Sequence, residues 1–301
     1  MYWQTTRFQI DLSQPKIMGI VNVTPDSFSD GGQYASTRDA LVRCEQLLKD
    51  GAHILDIGGE SSRPGAKPLP LADELARVLP VVRTVVKLGV PVSVDTYKPE
   101  VMQAVLDAGA DIINDIWAFR QPGAAQVVAQ HGQCGLVLMH MHGNPQTMQT
   151  QPMADVTTNG DMVQQVKTKL LLFCEQLAHI SYGFQPVLAG RSADELLKNR
   201  IVVDPGIGFG KTVEQNFALL ARQAELQSLG YPILAGWSRK SSLGAVTGLD
   251  AKDCLLPSVA AALLAVERGA RIVRVHDVRE TAQVISVYSA MNSVAACAIS
   301  A

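Results

Sequence analysis

The sequence predicts a single α/β domain, residues 1–301, folded as a closed (β/α)8 barrel of the TIM type. Short apolar runs rich in Ile, Val and Leu recur along the chain, and stretches with helical spacing separate them. The runs are continuously apolar, which is typical of parallel strands that helices cover on both faces. About eight such units fill the 301 residues, which is close to the usual length of a barrel.

The predicted strands follow one another at intervals that each leave room for a helix. They cover residues 17–23, 54–57, 90–94, 112–116, 136–139, 201–203, 232–235 and 272–275. Helical spacing lies between them, as in Val101, Val105 and Leu106. Residues 1–15, before the first strand, are predicted to form an N-terminal extension or a hairpin. An open doubly wound sheet is the alternative arrangement of the same units.

Polar side chains follow the ends of these strands. In a barrel the loops after the strands open on one face, and barrel enzymes keep their active sites there. The side chains that this rule brings together are Asn22, Ser62, Arg63, Asp95, Asn114, His140, Asp204, Ser238, Lys240, Arg274 and His276. The opposite ends of the strands carry only Gly, Pro and small polar residues. The sequence therefore predicts an active site at the C-terminal ends of the strands.

Two carboxylates and an amide stand out among these residues. Ionised Asp95 and Asp204 only accept hydrogen bonds, and together with Asn114 they match a flat heterocycle with several N–H donors on one edge. A pterin or a related base has such an edge. A structural role, in which the carboxylate holds a neighbouring loop through its N–H groups, is the alternative for either aspartate alone.

Cations form a second group at the same strand ends. Arg63, Lys240, Arg274 and His276 are of the types that clamp phosphate oxygens or neutralise a departing phosphate. The run from Gly206 to Lys211 is too short for a P-loop, so its glycines are interpreted as a tight turn that approaches a ligand or neighbouring loops closely. The site is therefore predicted to bind an anion beside a heterocycle.

Composition narrows the class of protein further. The net charge of −2 and pI near 6.3 argue against nucleic-acid binding. The N-terminus lacks the blocks of a signal peptide, and no apolar stretch is long enough for a bilayer, so no membrane partner is expected. The 5 cysteines are widely scattered and odd in number, which indicates buried thiols in a reducing compartment rather than disulfides. A cytoplasmic location is expected.

Motifs along nearly the whole chain closely resemble those of the bacterial dihydropteroate synthases, a family of pterin-binding enzymes. In order, they are VNVTPDSFSDGG, DIGGESSRPGA, SVDTYKPEV, INDI, LMHMHG, VVDPGIGFGK, GWSRKSSLG and RVHDV. The first of them, the Glu-Ser-x-Arg-Pro-Gly loop and Ser-Arg-Lys are together highly specific. The resemblance implies a transferase of folate biosynthesis. It would condense 6-hydroxymethyl-7,8-dihydropterin diphosphate with 4-aminobenzoate, losing the diphosphate before the amine attacks.

The resemblance also implies roles for individual residues and for Mg²⁺, which Asn22 would bind together with diphosphate oxygens. The pterin would be bound by Asp95, Asn114, Asp204, Lys240 and Arg274. The diphosphate would be held by Asn22, Ser62, Arg63, Arg274 and His276. The aminobenzoate pocket would comprise Phe28, Ser62, Pro64, Phe209, Ser238 and Lys240. The catalytic residues would be Arg63, Lys240 and Arg274.

The family is usually homodimeric and is the target of sulfonamides. The small and apolar faces of residues 258–266 and 284–295 would suit a homodimer interface. The chain departs from the family pattern at Ser62, where Thr is usual, and at Trp237, where a smaller or more flexible residue is common. Both departures bear on sulfonamide sensitivity, because these drugs occupy the aminobenzoate pocket.

Two other functions fit parts of the same pattern. A pterin-binding methyltransferase domain shares the barrel and the paired Asp and Asn, and it would bind methyltetrahydrofolate and a corrinoid partner. Its substrate has no diphosphate, which leaves Arg63 and the Ser238-Arg239-Lys240 motif with little to bind. A catalytically silent barrel that only binds pterin or a partner protein is the other alternative, and measurable turnover would exclude it.

Overall fold

The computed structural model describes residues 1–23, 32–63, 65–148, 152–153, 161–182 and 197–299. The strands in these residues are β1 (Tyr2–Gln4), β2 (Gln9–Asp11), β3 (Lys16–Asn22), β4 (Ile54–Gly58), β5 (Val92–Asp95), β6 (Ile112–Asp115), β7 (Gly135–Met139), β8 (Ile201–Asp204), β9 (Ile233–Ala235) and β10 (Ala270–Val275). The α-helices are α1 (Gly32–Lys49), α2 (Leu71–Val85), α3 (Pro99–Asp107), α4 (Ala124–Gln130), α5 (Met162–Tyr182), α6 (Val213–Ala221), α7 (Ser241–Thr247), α8 (Leu255–Glu267) and α9 (Val278–Ile299).

Strands β3 to β10 form a closed parallel barrel, and each pairs with its neighbours in chain order. The barrel closes where β10 pairs with β3, with Val273 opposite Ile17. This closure confirms the predicted (β/α)8 barrel and excludes the open doubly wound sheet. The predicted strands all occur, with ends that differ by up to two residues from the observed ones.

The barrel strands bury side chains on both faces, as their continuously apolar sequences predict. In β4, Leu55 and Ile57 point outward into the core between the barrel and its helices. Ile54 points inward and packs in a separate cluster with inward side chains of other strands, including Ile112, Val202 and Ile272. Since successive strand residues alternate between faces, the residues two positions further on also point into the barrel.

The hairpin formed by β1 and β2 covers the N-terminal end of the barrel. Trp3 is fully buried against the inward cluster, and its indole N–H donates to the Arg200 carbonyl at 2.6 Å. Arg7 donates to buried Asp111 through its backbone N and its side chain, with the Nη2–Oδ2 distance at 2.6 Å. The prediction that this end carries only Gly, Pro and small polar residues is therefore wrong, because Asp111 tethers the hairpin to the barrel there.

Replacing Trp3 with alanine is expected to lower the free energy of unfolding by about 3–5 kcal/mol, because it empties a buried indole volume. Urea unfolding measures this change, and kcat of the folded variant should be retained because the hairpin lies opposite the predicted site. Tyr2, which is 56% exposed on the same strand, is the matched control, and its alanine variant should change stability by no more than about 0.5 kcal/mol. Equal losses of unfolding free energy in the Trp3 and Tyr2 variants would contradict this account of the hairpin.

Two further findings concern the class of protein. No helix within the described ranges has the length and apolar character that crossing a membrane requires. The cysteines whose side chains are described, Cys44, Cys134, Cys174 and Cys254, are free thiols and all are buried. Burial raises the pKa of Cys44 and of Cys174 to about 12, which makes these thiols unreactive.

Candidate active site

A polar layer lies inside the barrel above the apolar inward cluster. It follows from strand periodicity, since each member lies two residues after an inward apolar or small residue. Ile54 precedes Asp56, Ile112 precedes Asn114, Val202 precedes Asp204, Ser93 precedes Asp95 and Ile272 precedes Arg274 in this way. The barrel thus gathers side chains from five strands in one layer at the C-terminal end, as the sequence predicts.

Asp56 connects this layer, and it is a site residue that the sequence analysis missed. Its Oδ2 accepts hydrogen bonds from Arg274 Nε at 2.6 Å and from Asn114 Nδ2 at 3.2 Å. Arg274 Nη2 in turn donates to Asp95 Oδ2 at 2.7 Å. Because the amide nitrogen of Asn114 is bonded to Asp56, its carbonyl oxygen is available as an acceptor. A charged residue inside the apolar run ILDIG was the signal for Asp56.

The electrostatics of the layer follow from burial and close pairing. Burial alone would lower the pKa of Arg274, but Asp56 and Asp95 raise it above the ordinary value, so the guanidinium stays charged. Burial raises the pKa of Asp95, and Arg274 opposes that shift. Burial also raises the pKa of Asp204, and the Gly206 N–H, which donates to Asp204 Oδ1 at 2.7 Å, opposes it.

The Gly-rich turn after β8 packs directly against Lys240. Lys240 Nζ lies 4.3 Å from the centroid of the Phe209 ring, so the ammonium and the ring form one wall. Gly208 has φ +79°, and a Cβ there would lie 3.2 Å from Lys240 Cδ. At Gly206 a Cβ would lie 1.9 Å from the His140 carbonyl oxygen. The glycines therefore allow close approach of neighbouring groups, as interpreted from the sequence.

Lys240 is expected to make pterin binding depend on pH. Burial lowers its pKa to about 8, so the ammonium is present below that pH and lost as the pH rises through it. Because a charged donor binds a ring acceptor more strongly than a neutral one, the Kd for a pterin should rise above about pH 8. Fluorescence titrations from about pH 6 to pH 10 measure this. A Kd that does not change with pH, or the same rise of the Kd in Lys240→Arg, would contradict the assignment to Lys240.

The residues proposed for the diphosphate lie on or after β10, β3 and β4, which are neighbouring strands of the barrel. Asn22 ends β3, and its Oδ1 lies 3.9 Å from where a Cβ on Gly58 of the next strand would be. Ser62 and Arg63 follow β4, and Arg63 is exposed. His276 follows β10, and burial together with Arg274 and Arg239 lowers its pKa to about 3, so the ring is neutral.

The loop that carries Ser62 and Arg63 is tied to the barrel by Glu60. Lys98 forms ion pairs with Glu60 and with buried Glu74, and the Tyr97 hydroxyl donates to Glu60 at 2.9 Å. A cavity of about 180 Å³ lies beside this network and reaches Asp95 and Ser62. The sequence analysis missed this tether, because nothing in the spacing of these residues indicates their contact.

Two residues assigned to the aminobenzoate pocket cannot be placed, and Trp237 and Ser238 are both buried. Phe28 and Pro64, assigned to the aminobenzoate pocket, lie outside the described residues. Trp237 is buried and stacks at an angle on Phe217, with the ring centroids 5.4 Å apart, so its indole belongs to the core. Ser238 is also buried, and its hydroxyl contacts the His276 ring.

The fold and the site define a pterin-binding barrel enzyme, and comparison with known proteins supports this class. The family model for pterin binding enzymes matches residues 18–276. The dihydropteroate synthase of Neisseria meningitidis serogroup B is 45% identical over 296 residues, which is 96% of this chain and 97% of the relative. The dihydropteroate synthase of Escherichia coli is 43% identical over 282 residues, 93% of each chain.

Solved structures agree with these relatives. Dihydropteroate synthase of Burkholderia cenocepacia, solved with 7,8-dihydropteroate, superimposes with a TM-score of 0.82 at 46% identity, covering 98% of this chain and 97% of the other. The Xanthomonas albilineans enzyme with 4-aminobenzoic acid gives 0.80 at 42% identity, covering 94% and 95%. This chain therefore belongs to the dihydropteroate synthases, the folate-pathway transferases of the pterin-binding family.

Proposed function

We propose that this chain condenses 6-hydroxymethyl-7,8-dihydropterin diphosphate with 4-aminobenzoate, and that the diphosphate leaves before the amine attacks. The products are 7,8-dihydropteroate and pyrophosphate. The observation that carries the proposal is the polar layer inside the barrel, where acceptors for a heterocycle lie beside a permanently charged guanidinium. The relatives solved with 7,8-dihydropteroate and with 4-aminobenzoic acid support both substrates.

The pterin is held by groups that complement its donor-rich edge. Asp95, Asp204 and the Asn114 carbonyl accept its N–H groups, while Lys240 donates to a ring oxygen or nitrogen. Arg274 is held in place by Asp56 and Asp95, so its guanidinium can lie against the ring without reorganisation. The layer is therefore organised before the substrate binds.

The diphosphate meets Asn22, Ser62, Arg63, Arg274 and His276. No group of three or more His, Cys, Asp or Glu residues that could hold a metal occurs within the described ranges. Mg²⁺ binds largely through substrate phosphates and water, and the Asn22 amide oxygen would be a suitable hard ligand for it. When bound, Mg²⁺ would help to neutralise the diphosphate. Arg63 supplies positive charge where negative charge develops on the leaving group.

Bond cleavage is the step that the site assists most. The bond from the pterin methylene carbon to the diphosphate oxygen breaks, and its electron pair leaves with the diphosphate. The carbon that remains is a cation stabilised by the pterin ring. The aminobenzoate nitrogen then attacks with its lone pair and releases a proton to solvent. An arylamine is neutral and nucleophilic at pH 7, so the site needs electrostatic stabilisation rather than a strong base.

The aminobenzoate would enter beside the wall that Phe209 and Lys240 form. Ser62, Phe28 and Pro64 would complete the pocket. The Yersinia pestis relative, solved with a sulfonamide drug, gives a TM-score of 0.86 at 38% identity over 97% of this chain and 100% of that one. Because Trp237 packs against Phe217 in the core, we expect its departure from the family pattern to act on the pocket only indirectly.

The chain is further proposed to be a homodimer in the cytoplasm. Helices α8 and α9 pack together and leave apolar side chains exposed, among them Leu256 at 79%, Val287 at 71% and Val294 at 71%. Exposed apolar residues grouped on two packed helices are typical of an interface. Sedimentation at micromolar concentration tests this, and a monomer would refute the dimer.

The proposed cytoplasmic location rests on the cysteines, because the buried free thiols agree with a reducing compartment.

The reaction is tested by following pyrophosphate and 7,8-dihydropteroate together, with Mg²⁺ and both substrates. Formation of the two products in equal amounts would support the proposal. No turnover together with tight binding of methyltetrahydrofolate would favour the methyltransferase alternative. No turnover with binding of pterin alone would favour the catalytically silent barrel.

A further inference from the structure

Ser238 and His276 make a double contact across neighbouring strands. Ser238 follows β9 and is 7% exposed, while His276 follows β10. The His276 backbone N–H donates to Ser238 Oγ at 3.2 Å, and the same oxygen lies 3.0 Å from His276 Nδ1. Arg43 Nη2 also donates to the His276 carbonyl at 2.9 Å. The backbone and one ring nitrogen of His276 are thus held from three sides.

These contacts determine where the imidazole proton lies. Ser238 Oγ already accepts the His276 backbone N–H, and its own hydrogen needs an acceptor because the hydroxyl is buried. Among the residues that the structure describes, His276 Nδ1 is the acceptor within reach. The hydroxyl therefore donates to Nδ1. A neutral imidazole that accepts at Nδ1 carries its proton on Nε2.

The surroundings keep the ring neutral. Burial, together with Arg274, Arg239 and Arg63, lowers the pKa of His276, whereas Asp277 opposes this shift. Asp277 is itself paired with Arg239 at 2.6 Å. The ring can thus contribute a hydrogen-bond donor to an anion, but it contributes no charge.

We propose that Ser238 is a positioning residue that fixes His276 as the Nε2–H tautomer, so that the ring donates a hydrogen bond to the departing diphosphate. In the other tautomer the Nε2 lone pair would face the anion and repel it. This inference rests on the proposed function for the diphosphate, but the tautomer itself does not. Because the Ser238 hydroxyl already contacts His276, the proposal assigns Ser238 to the diphosphate part of the site rather than to the aminobenzoate pocket.

The tautomer is measured directly by two-bond ¹H–¹⁵N correlation spectra of the full chain labelled with ¹⁵N-histidine, recorded at pH 7 without substrate. His276→Gln identifies the His276 signals by their loss. We expect the Nε2–H pattern in the wild type, a mixture of tautomers in Ser238→Ala, and restoration of the wild-type pattern in Ser238→Thr, which keeps the hydroxyl. An Nδ1–H pattern in the wild type, or an unchanged pattern in Ser238→Ala, would overturn the proposal.

Kinetics test the consequence for the leaving group. Loss of a group that orients a functional histidine is expected to lower kcat about 10- to 100-fold in Ser238→Ala, with the KM for 4-aminobenzoate unchanged. Ser258→Ala is the matched control, because this buried serine accepts the Arg239 backbone N–H at 2.9 Å and donates to the Cys254 carbonyl rather than to His276. A raised KM for 4-aminobenzoate with unchanged kcat would overturn the inference and place Ser238 in that pocket. Titration of the wild type with pyrophosphate and Mg²⁺ separates the two claims. If the tautomers were as expected but pyrophosphate did not bind, the proposed diphosphate site would be refuted rather than the tautomer.

Discussion

Replacing Arg63 with alanine is expected to lower kcat about 100- to 1000-fold, while the affinity for a pterin without a diphosphate stays nearly the same. Arg63 is exposed on the loop after β4, outside the polar layer that contacts the heterocycle. We propose that its charge acts where the leaving group acquires negative charge. An interaction made mainly in the transition state raises kcat rather than substrate affinity, so its loss should appear in kcat.

Arg83→Ala is the matched control for this variant. Arg83 is an exposed arginine near the end of α2, and its removal changes the net charge by the same amount. Its kcat should equal that of the wild type. Steady-state kinetics and direct pterin titration measure both quantities for each variant. If Arg63→Ala weakened pterin binding as much as it lowered kcat, Arg63 would contribute to binding alone.

Replacing Asp204 with asparagine is expected to weaken pterin binding about 10- to 100-fold, with little change in the unfolding free energy. The asparagine oxygen can still accept the Gly206 N–H, which now donates to Asp204 Oδ1 at 2.7 Å. The second oxygen becomes an NH₂ donor that would face the N–H donors of the pterin. The variant therefore loses an acceptor for the ligand while the turn after β8 is retained.

Asp115→Asn separates this effect from a general loss of a buried carboxylate. Asp115 is fully buried at the end of β6, and it accepts the Trp117 and Phe119 N–H groups at 2.7 and 2.6 Å. It follows Asn114, so its side chain points away from the barrel interior. Titration calorimetry should show wild-type pterin affinity for folded Asp115→Asn. A similar loss of affinity in both variants would contradict the role proposed for Asp204.

The sequence predicts the barrel and the location of the polar layer well, for a physical reason. A parallel strand buried on both faces has a continuously apolar sequence, so polar residues at its end stand out. Asp95, Asn114, Asp204 and Arg274 were found in this way. Asp56 was missed because the prediction considered residues at strand ends. Asp56 lies in the middle of β4, and it still belongs to the site because it binds Arg274.

Contacts between different loops could not be predicted from the sequence. The ion pairs of Lys98 with Glu60 and Glu74 join segments that are distant in the chain, and no periodicity relates them. The contact of Ser238 with His276 depends in the same way on the pairing of β9 with β10. Trp237 packs against Phe217 in the core, whereas the hydroxyl of its neighbour Ser238 contacts His276. The loop sequence alone does not reveal that these two side chains point in different directions.

The order of bond cleavage is tested most directly with dihydropterin diphosphate that carries ¹⁸O between the methylene carbon and the first phosphorus. If the diphosphate leaves before the amine attacks, rotation of the bound diphosphate and its return move the label to a non-bridging position. The ³¹P spectrum of recovered substrate reports this change, because the isotope shift differs between a bridging and a non-bridging ¹⁸O. We predict scrambling with the wild type and Mg²⁺ in the absence of 4-aminobenzoate. If the complete reaction formed product but the label scrambled neither with nor without 4-aminobenzoate, a step in which the diphosphate leaves first would be contradicted.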